Sequence, residues 1–305
     1  MGVGRLLRWC LLHAAGVNLN PRTALTVPVG LSRAGAKHHQ EVAMTSTAAV
    51  SMPSSEAEAV AAVTEQPFAT VLAGGTLLVP QHTLGQVAVE RAVWLGRAEM
   101  DGISRSNGRM TVGAAAPLAA CARLDAPVGP CAADVGDNEV KAQATIGGNI
   151  CSPAPYGDMR GPLLALGAIL RWADPDGTHT GGIADFTASG GARPGVLILD
   201  VAFAVPEAGS FVALRRHHTQ SLTAMAVSAV RGADGAVTIA ATGAAPDACR
   251  LHAAEAVLAD GGSIADAAAA SASDADPYDD ALASASYRSR VLPVYVGRAL
   301  EQLGA

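Results

Sequence analysis

Two short apolar runs in this chain end in the same way, and that shared ending limits its folding more than any other feature. Thr70-Val71-Leu72 leads into Ala73-Gly74-Gly75-Thr76. The second run reads Ala144-Thr145-Ile146-Gly147-Gly148-Asn149-Ile150, with Asp158 shortly after it. Paired glycines let the backbone take positive φ and remove side chains that would block a close approach. Successive N–H groups in such turns converge into an anion-binding concavity. Thr76, Thr145 and Asn149 offer side-chain donors to the same anion. Taken singly, each is compatible with an ordinary turn in a chain holding 33 glycines. As a pair, facing each other, they could hold a diphosphate without any lysine.

Neither loop has the spacing G-x-G-x-x-G, and no G-x-x-x-x-G-K-[ST] occurs, so Rossmann and Walker loops are both excluded. A length of 305 residues suits two domains of ordinary size. A net charge of −6, with lysine only at Lys37 and Lys141, argues against a nucleic-acid surface. No apolar run reaches the ~18–20 residues of a membrane span. The five cysteines (Cys10, Cys121, Cys131, Cys151, Cys249) form no C-x-x-C pair and no regular framework, which points to a reducing, cytoplasmic setting.

The punctuation of the chain becomes regular from Met44. Ser55-x-x-Glu58 is a capping-box pattern opening a helix that Pro67 ends. Strands are expected over 70–73, 87–93, 109–114, 168–173 and 196–205, with helices from Pro117 and over 159–167. Asp174-Pro175-Asp176-Gly177 has turn chemistry, and residues 206–209 read as a boundary. Beyond it, 211–217, 225–231 and 236–242 form three strands, the last two joined by the hairpin signal Asp234-Gly235. Helices follow over 253–258, 264–270 and 282–303, where Pro293 should kink or divide the last. Residues 1–43 carry Arg5 and Arg8 before a short apolar stretch, and read as a disordered extension or an over-long start.

At the glycine loops and the C-terminus the chain resembles the FAD-binding (medium) subunits of the molybdenum hydroxylases, the carbon monoxide dehydrogenase and xanthine dehydrogenase family. Leu72-Ala73-Gly74-Gly75-Thr76-Leu77-Leu78-Val79-Pro80 is similar to that family's first FAD loop. Residues 144–150 with Asp158 are similar to its second. Ser286-Tyr287-Arg288 and Gly297-Arg298-Ala299-Leu300 are similar to its closing helix. The likeness spans about residues 44–303.

The resemblance implies an α+β fold. Residues 44–208 would form a two-subdomain FAD-binding domain of the PCMH or vanillyl-alcohol-oxidase type. Residues 209–305 would form a small α+β domain with a three-stranded antiparallel sheet and helices. It implies an FAD-dependent oxidoreductase subunit with cofactor contacts from Leu72, Ala73, Gly74, Gly75, Thr76, Leu77 and Leu78. In the second loop it implies Ala144, Thr145, Ile146, Gly147, Gly148 and Asn149, and further on Asp158, Leu197 and Arg216. Asp158 would contact the ribose, or else cap the helix that follows it. The basic position falls on Arg215 or Arg216.

FAD would be noncovalent, because Thr76 and Leu77 stand where covalent relatives of the wider fold carry a histidine. The redox chemistry would be the flavin's. Electrons would come from two-iron, two-sulfur clusters on a small subunit, supplied by a molybdenum cofactor on a large one, in a complex with two copies of each. They would leave to an external acceptor. A stand-alone FAD oxidoreductase and a flavin-free scaffold are the alternatives. The chain departs from the family at Leu77 and Gln220. His217-His218 lacks a third ligand at metal-binding spacing, His82 lies near enough to the first loop to line a cofactor, and Cys121, Cys131 and Cys151 read as idle thiols rather than cluster ligands.

Overall fold

The computed structural model describes residues 49–215 and 222–304. The expectations for residues 1–43, Arg216, His217, His218 and Gln220 lie outside them.

The chain opens with β1 (Ala49–Ser51), α1 (Glu56–Glu65), β2 (Thr70–Leu72), α2 (Leu78–Thr83) and β3 (Arg91–Trp94). The three strands pair in parallel in the order β1-β3-β2. Ser55 caps α1, its Oγ accepting from Glu58 N at 3.2 Å. Glu58 reaches back past the cap to Ser54, accepting from its N and Oγ at 2.7 Å. Ala59, Ala62 and Val63 are the buried face of α1. β3 starts at Arg91, four residues later than the expected Val87, because its parallel partners are each only three residues long. Val87 instead turns its carbonyl to His82 Nδ1 at 2.9 Å.

The second layer is a five-stranded antiparallel sheet, β4 (Ile103–Ser106), β5 (Arg109–Gly113), β6 (Ile169–Asp174), β7 (Gly177–Gly182) and β8 (Leu197–Ala204), in the order β4-β5-β8-β6-β7. Central β8 buries Leu197, Ile198, Leu199, Val201 and Phe203. Short helices pack around it: α3 (Leu118–Cys121), α4 (Val128–Asp134), α5 (Asn138–Gln143), α6 (Ile146–Ile150), α7 (Arg160–Ala165) and α8 (Ile183–Ala188). Asp174 Oδ1 accepts from Asp176 N at 2.9 Å, closing the β6–β7 hairpin at the expected turn. Pro117 precedes a single helical turn, shorter than expected.

β9 (Ala208–Arg215), β10 (Thr223–Arg231), β11 (Val237–Thr242) and β12 (Cys249–Arg250) form an antiparallel sheet in the order β12-β11-β10-β9. The expected three strands are present, and the two-residue β12 adds a fourth. Helices α9 (His252–Ala259), α10 (Ile264–Ala270) and α11 (Ala285–Leu303) cover one face. Pro293 does not divide α11. Leu292 and Val296, on either side of it, are buried in one core with Ala299, Leu300 and Leu303. That packing outweighs the ~3 kcal/mol an interior proline costs. Arg288 is also buried and staples this unit. Its Nη1 donates to the carbonyls of Ala224 and Gly243, its Nη2 lies 2.6 Å from Asp280 Oδ1, and its guanidinium sits 4.5 Å over the Tyr278 ring.

The C-terminal sheet docks on α7. Ala165 packs with Val230 and Ala240, Thr238 Oγ1 donates to Ala165 O, and Arg160 pairs with Asp247 at 2.8 Å. No helix among the described residues is long and apolar enough to cross a membrane.

Candidate cofactor-binding site

The first glycine loop leaves β2 and enters α2. Gly75 has φ +69°, where an L side chain is strained. A Cβ on Gly74 would lie 2.0 Å from Gln143 O, so only glycine lets this loop touch the entrance of the second. Among the described residues, the backbone N–H groups of Gly74, Gly75, Thr76, Leu77 and Leu78 donate to no protein acceptor. Five consecutive unspent donors at one turn require water or a ligand.

The second loop behaves differently. Thr145 Oγ1 caps α6 by accepting from Gly148 N at 3.1 Å. Ile146 N and Gly147 N donate to Ala116 O and Ala114 O. Its N–H groups are therefore largely spent inside the protein, which corrects the expectation of two equivalent donor loops. Gly147 is needed for packing, since a Cβ there would sit 2.8 Å from the Ala114 Cβ. Gly148 is exposed, and a Cβ on it would meet only Thr145 Oγ1, at 2.9 Å.

Asn149 also carries two bonds within the protein. Its Nδ2 donates to Tyr156 O at 2.8 Å and its Oδ1 accepts from Met159 N at 2.9 Å. Each end of the amide thus makes one bond within the protein, and the second Nδ2 proton is the donor it has left for an anion. Met159 N is satisfied by Asn149, and the Asp158 side chain makes no cap bond to α7.

Both loops line a single cavity of about 1350 Å³. That exceeds the ~300–1000 Å³ of pockets for drug-sized ligands and suits a dinucleotide. All of residues 72–78 line it, as do Ala144, Thr145, Gly147, Gly148, Asn149, Asp158 and Leu197. Ile146 does not: its side chain is fully buried in the main core, because the turn that exposes Gly148 points Ile146 inward. His82 does not line the cavity either.

The sequence reading missed Asp134, Thr223, Arg193, Phe211 and Tyr295, which all reach the cavity wall. No motif marks them: Asp134 shares the wall with Thr223, Phe211 and Tyr295 of the C-terminal unit, and Arg193 comes from the loop before β8. Arg215 Nη1 pairs with Asp134 Oδ1 at 2.8 Å, linking β9 to α4. The Thr223 hydroxyl lies 3.4 Å from Asp134 Oδ2. Burial pushes the Asp158 carboxyl up to about 7; a hydrogen bond from Thr223 opposes this, Asp134 adds to it, and Arg215 opposes it. Cys151 borders the cavity with its thiol pushed up to about 12 by burial, so it stays protonated at neutral pH. Cys121 and Cys131 are buried free thiols.

The family described as the FAD binding domain in molybdopterin dehydrogenase matches residues 44–207. No curated protein matches the chain by sequence. Solved structures share the fold. A chain of carbon monoxide dehydrogenase from Hydrogenophaga pseudoflava, lacking the Mo-pyranopterin moiety of the molybdenum cofactor, gives a TM-score of 0.74 at 23% identity, covering 84% of this chain and 97% of that one. Reconstituted carbon monoxide dehydrogenase from Oligotropha carboxidovorans gives 0.75 at 24%, with 84% and 97% covered. Quinoline 2-oxidoreductase from Pseudomonas putida 86 gives 0.73 at 22%, with 84% and 96% covered. The chain belongs to the FAD-binding family of the molybdopterin dehydrogenases and is an oxidoreductase flavoprotein.

Proposed function

We propose that this chain is the electron-transfer subunit of a molybdenum hydroxylase complex. It takes electrons from the iron–sulfur clusters of a small partner subunit and passes them to an external acceptor. A large molybdopterin-binding subunit completes the assembly, with two copies of each chain. The observation that carries the reading is the row of five unspent N–H groups at residues 74–78, in the same cavity as the open face of Gly148. A diphosphate matches those donors in charge and number.

Residues 72–78 and 144–149, with Asp158 and Leu197, would form the cofactor surface, Ile146 acting from behind as packing. Arg215 supplies a basic side chain at the wall, and Arg216 beside it is the second candidate. Binding is noncovalent, with Thr76 and Leu77 in the loop. When bound, FAD supplies the redox chemistry; the protein holds and orients it and keeps water from its buried face. Residues 44–208 serve as the FAD-binding domain and 209–305 as the domain that closes the cavity and meets partners, with 1–43 as an extension.

Co-expression with a small cysteine-rich subunit and a large molybdenum subunit tests the proposal, using size-exclusion chromatography, metal analysis and turnover assays. A complex containing iron and molybdenum is expected, with no substrate hydroxylation by the isolated chain. Robust turnover by the isolated chain would overturn the reading in favour of a stand-alone oxidoreductase.

A further inference from the structure

We infer that Asn149 is a positioning residue: it clamps the turn on both sides of Asp158 and so sets that carboxylate in the cavity wall. The inference rests on the FAD-binding reading and assigns Asn149 a task in addition to its place on the cofactor surface. Asn149 is 7% exposed, and each end of its amide makes one bond to the turn, with one Nδ2 proton beyond them. Nδ2 holds Tyr156 O, two residues before Asp158, and Oδ1 holds Met159 N, one residue after it. The helix that carries Asn149 is fixed at its start by the Thr145 cap. Arg160 fixes its end, donating from Nε to Ile150 O at 2.8 Å and from Nη2 to Ser152 O. Asp158 is therefore suspended between two anchored points, one peptide from each bond at most.

The carboxylate so held stands in a partition. On one side is the large cavity; on the other, Asp158, Arg160 and Thr223 line a second cavity of about 40 Å³ with Asp247 and Tyr278. The groups facing Asp158 are Cys131 and Asp134 on α4, Arg215 on β9, Thr223 on β10, and Arg160 with its partner Asp247. Burial and an acidic neighbour hold the carboxyl up, and the fixed turn, with the hydrogen bond from Thr223, keeps it in that place. Released from the clamp, the side chain would swing toward water and titrate as an ordinary carboxylate.

The test follows Asp158 directly. In cofactor-free protein carrying ¹³C-labelled aspartate, the Asp158 carboxyl signal is identified by its loss in Asp158→Asn and titrated by NMR. The expected midpoint is near 7 in the wild type and falls toward the ordinary range in Asn149→Ala. Asn149→Leu, which keeps the side-chain volume, should do the same and separates loss of the clamp from a cavity effect. FAD titrations by fluorescence should show about tenfold weaker binding in Asn149→Ala, as for other outer-shell partners. Asp158→Asn should weaken binding comparably. An unchanged midpoint in both Asn149 variants would overturn the inference and leave Asn149 with direct cofactor contact alone. A wild-type chain that takes up no FAD contradicts the cofactor reading instead, while a moved midpoint still supports the clamp.

Discussion

Asp158→Asn should make the cofactor-free protein more stable at neutral pH while weakening its hold on FAD. The carboxyl sits at about 7 in the folded chain against an ordinary 3.8. Between those values the folded state holds a proton that the unfolded state has lost. Stability from this group is thus fully present below about pH 4 and lost as pH rises through 7. Each pH unit across that window is worth about 1.4 kcal/mol, giving a ceiling of about 4 kcal/mol. Asp158 is only half-buried and one face meets the solvent of the cavity. Screening there reduces the expected effect to about 2 kcal/mol.

Urea denaturation at about pH 3, 6 and 8 provides the assay, with FAD removed. The variant and wild type should match at about pH 3, below the unfolded value, and the variant should be about 2 kcal/mol more stable at pH 8. Other carboxylates cancel in the difference, including Asp174, Glu255 and Asp280, all held below their usual range. A difference that is the same at all three pH values would refute the buried, uncharged carboxyl. So would a variant less stable at pH 8.

Two further substitutions probe the frame. Gly74→Ala should cost both folding stability and flavin, because its Cβ would press on Gln143 O in the second loop's entrance; a thermal melt and flavin content read the two effects together. Arg288→Met should lower stability by about 3 kcal/mol in chemical denaturation, since it leaves Asp280 and the Ala224 and Gly243 carbonyls without their buried partner.

Local chemistry made much of this fold legible. The Ser55 cap, the Asp174 and Asp234 turns and the apolar β8 depend on neighbours within a few residues, and each stands where its residues indicate. The β4–β5 hairpin was also written there, in Asn107-Gly108, whose φ values of 50° and 71° fit a tight hairpin turn, but β4 itself carries only one apolar residue. β7, Gly-Thr-His-Thr-Gly-Gly, has no strand signal and exists because β6 offers it an edge.

At the site, glycine pairs located both loops but did not show which N–H groups stay free. That depends on Ala114 and Ala116, about 30 residues away in sequence, whose carbonyls take the donors of the second loop. The Asp134–Arg215–Thr223 group was invisible for a similar reason: it joins α4 to two strands of another sheet. Asn149 read as an anion donor because its amide could donate. Its two structural bonds emerge only once residues 156 and 159 turn back over α6.

The flavin content of Gly148→Val beside the wild type tests the central claim most directly. Gly148 is exposed at the cavity, needs no positive φ, and its added Cβ presses only on the Thr145 hydroxyl. A branched side chain there should fill space the diphosphate needs while leaving both cores intact. Absorbance spectra of the two proteins after incubation with FAD and gel filtration, with circular dichroism as the folding control, give the answer. The expected result is stoichiometric flavin on the wild type and little on a folded Gly148→Val. A full flavin complement on the variant would contradict the two-loop site.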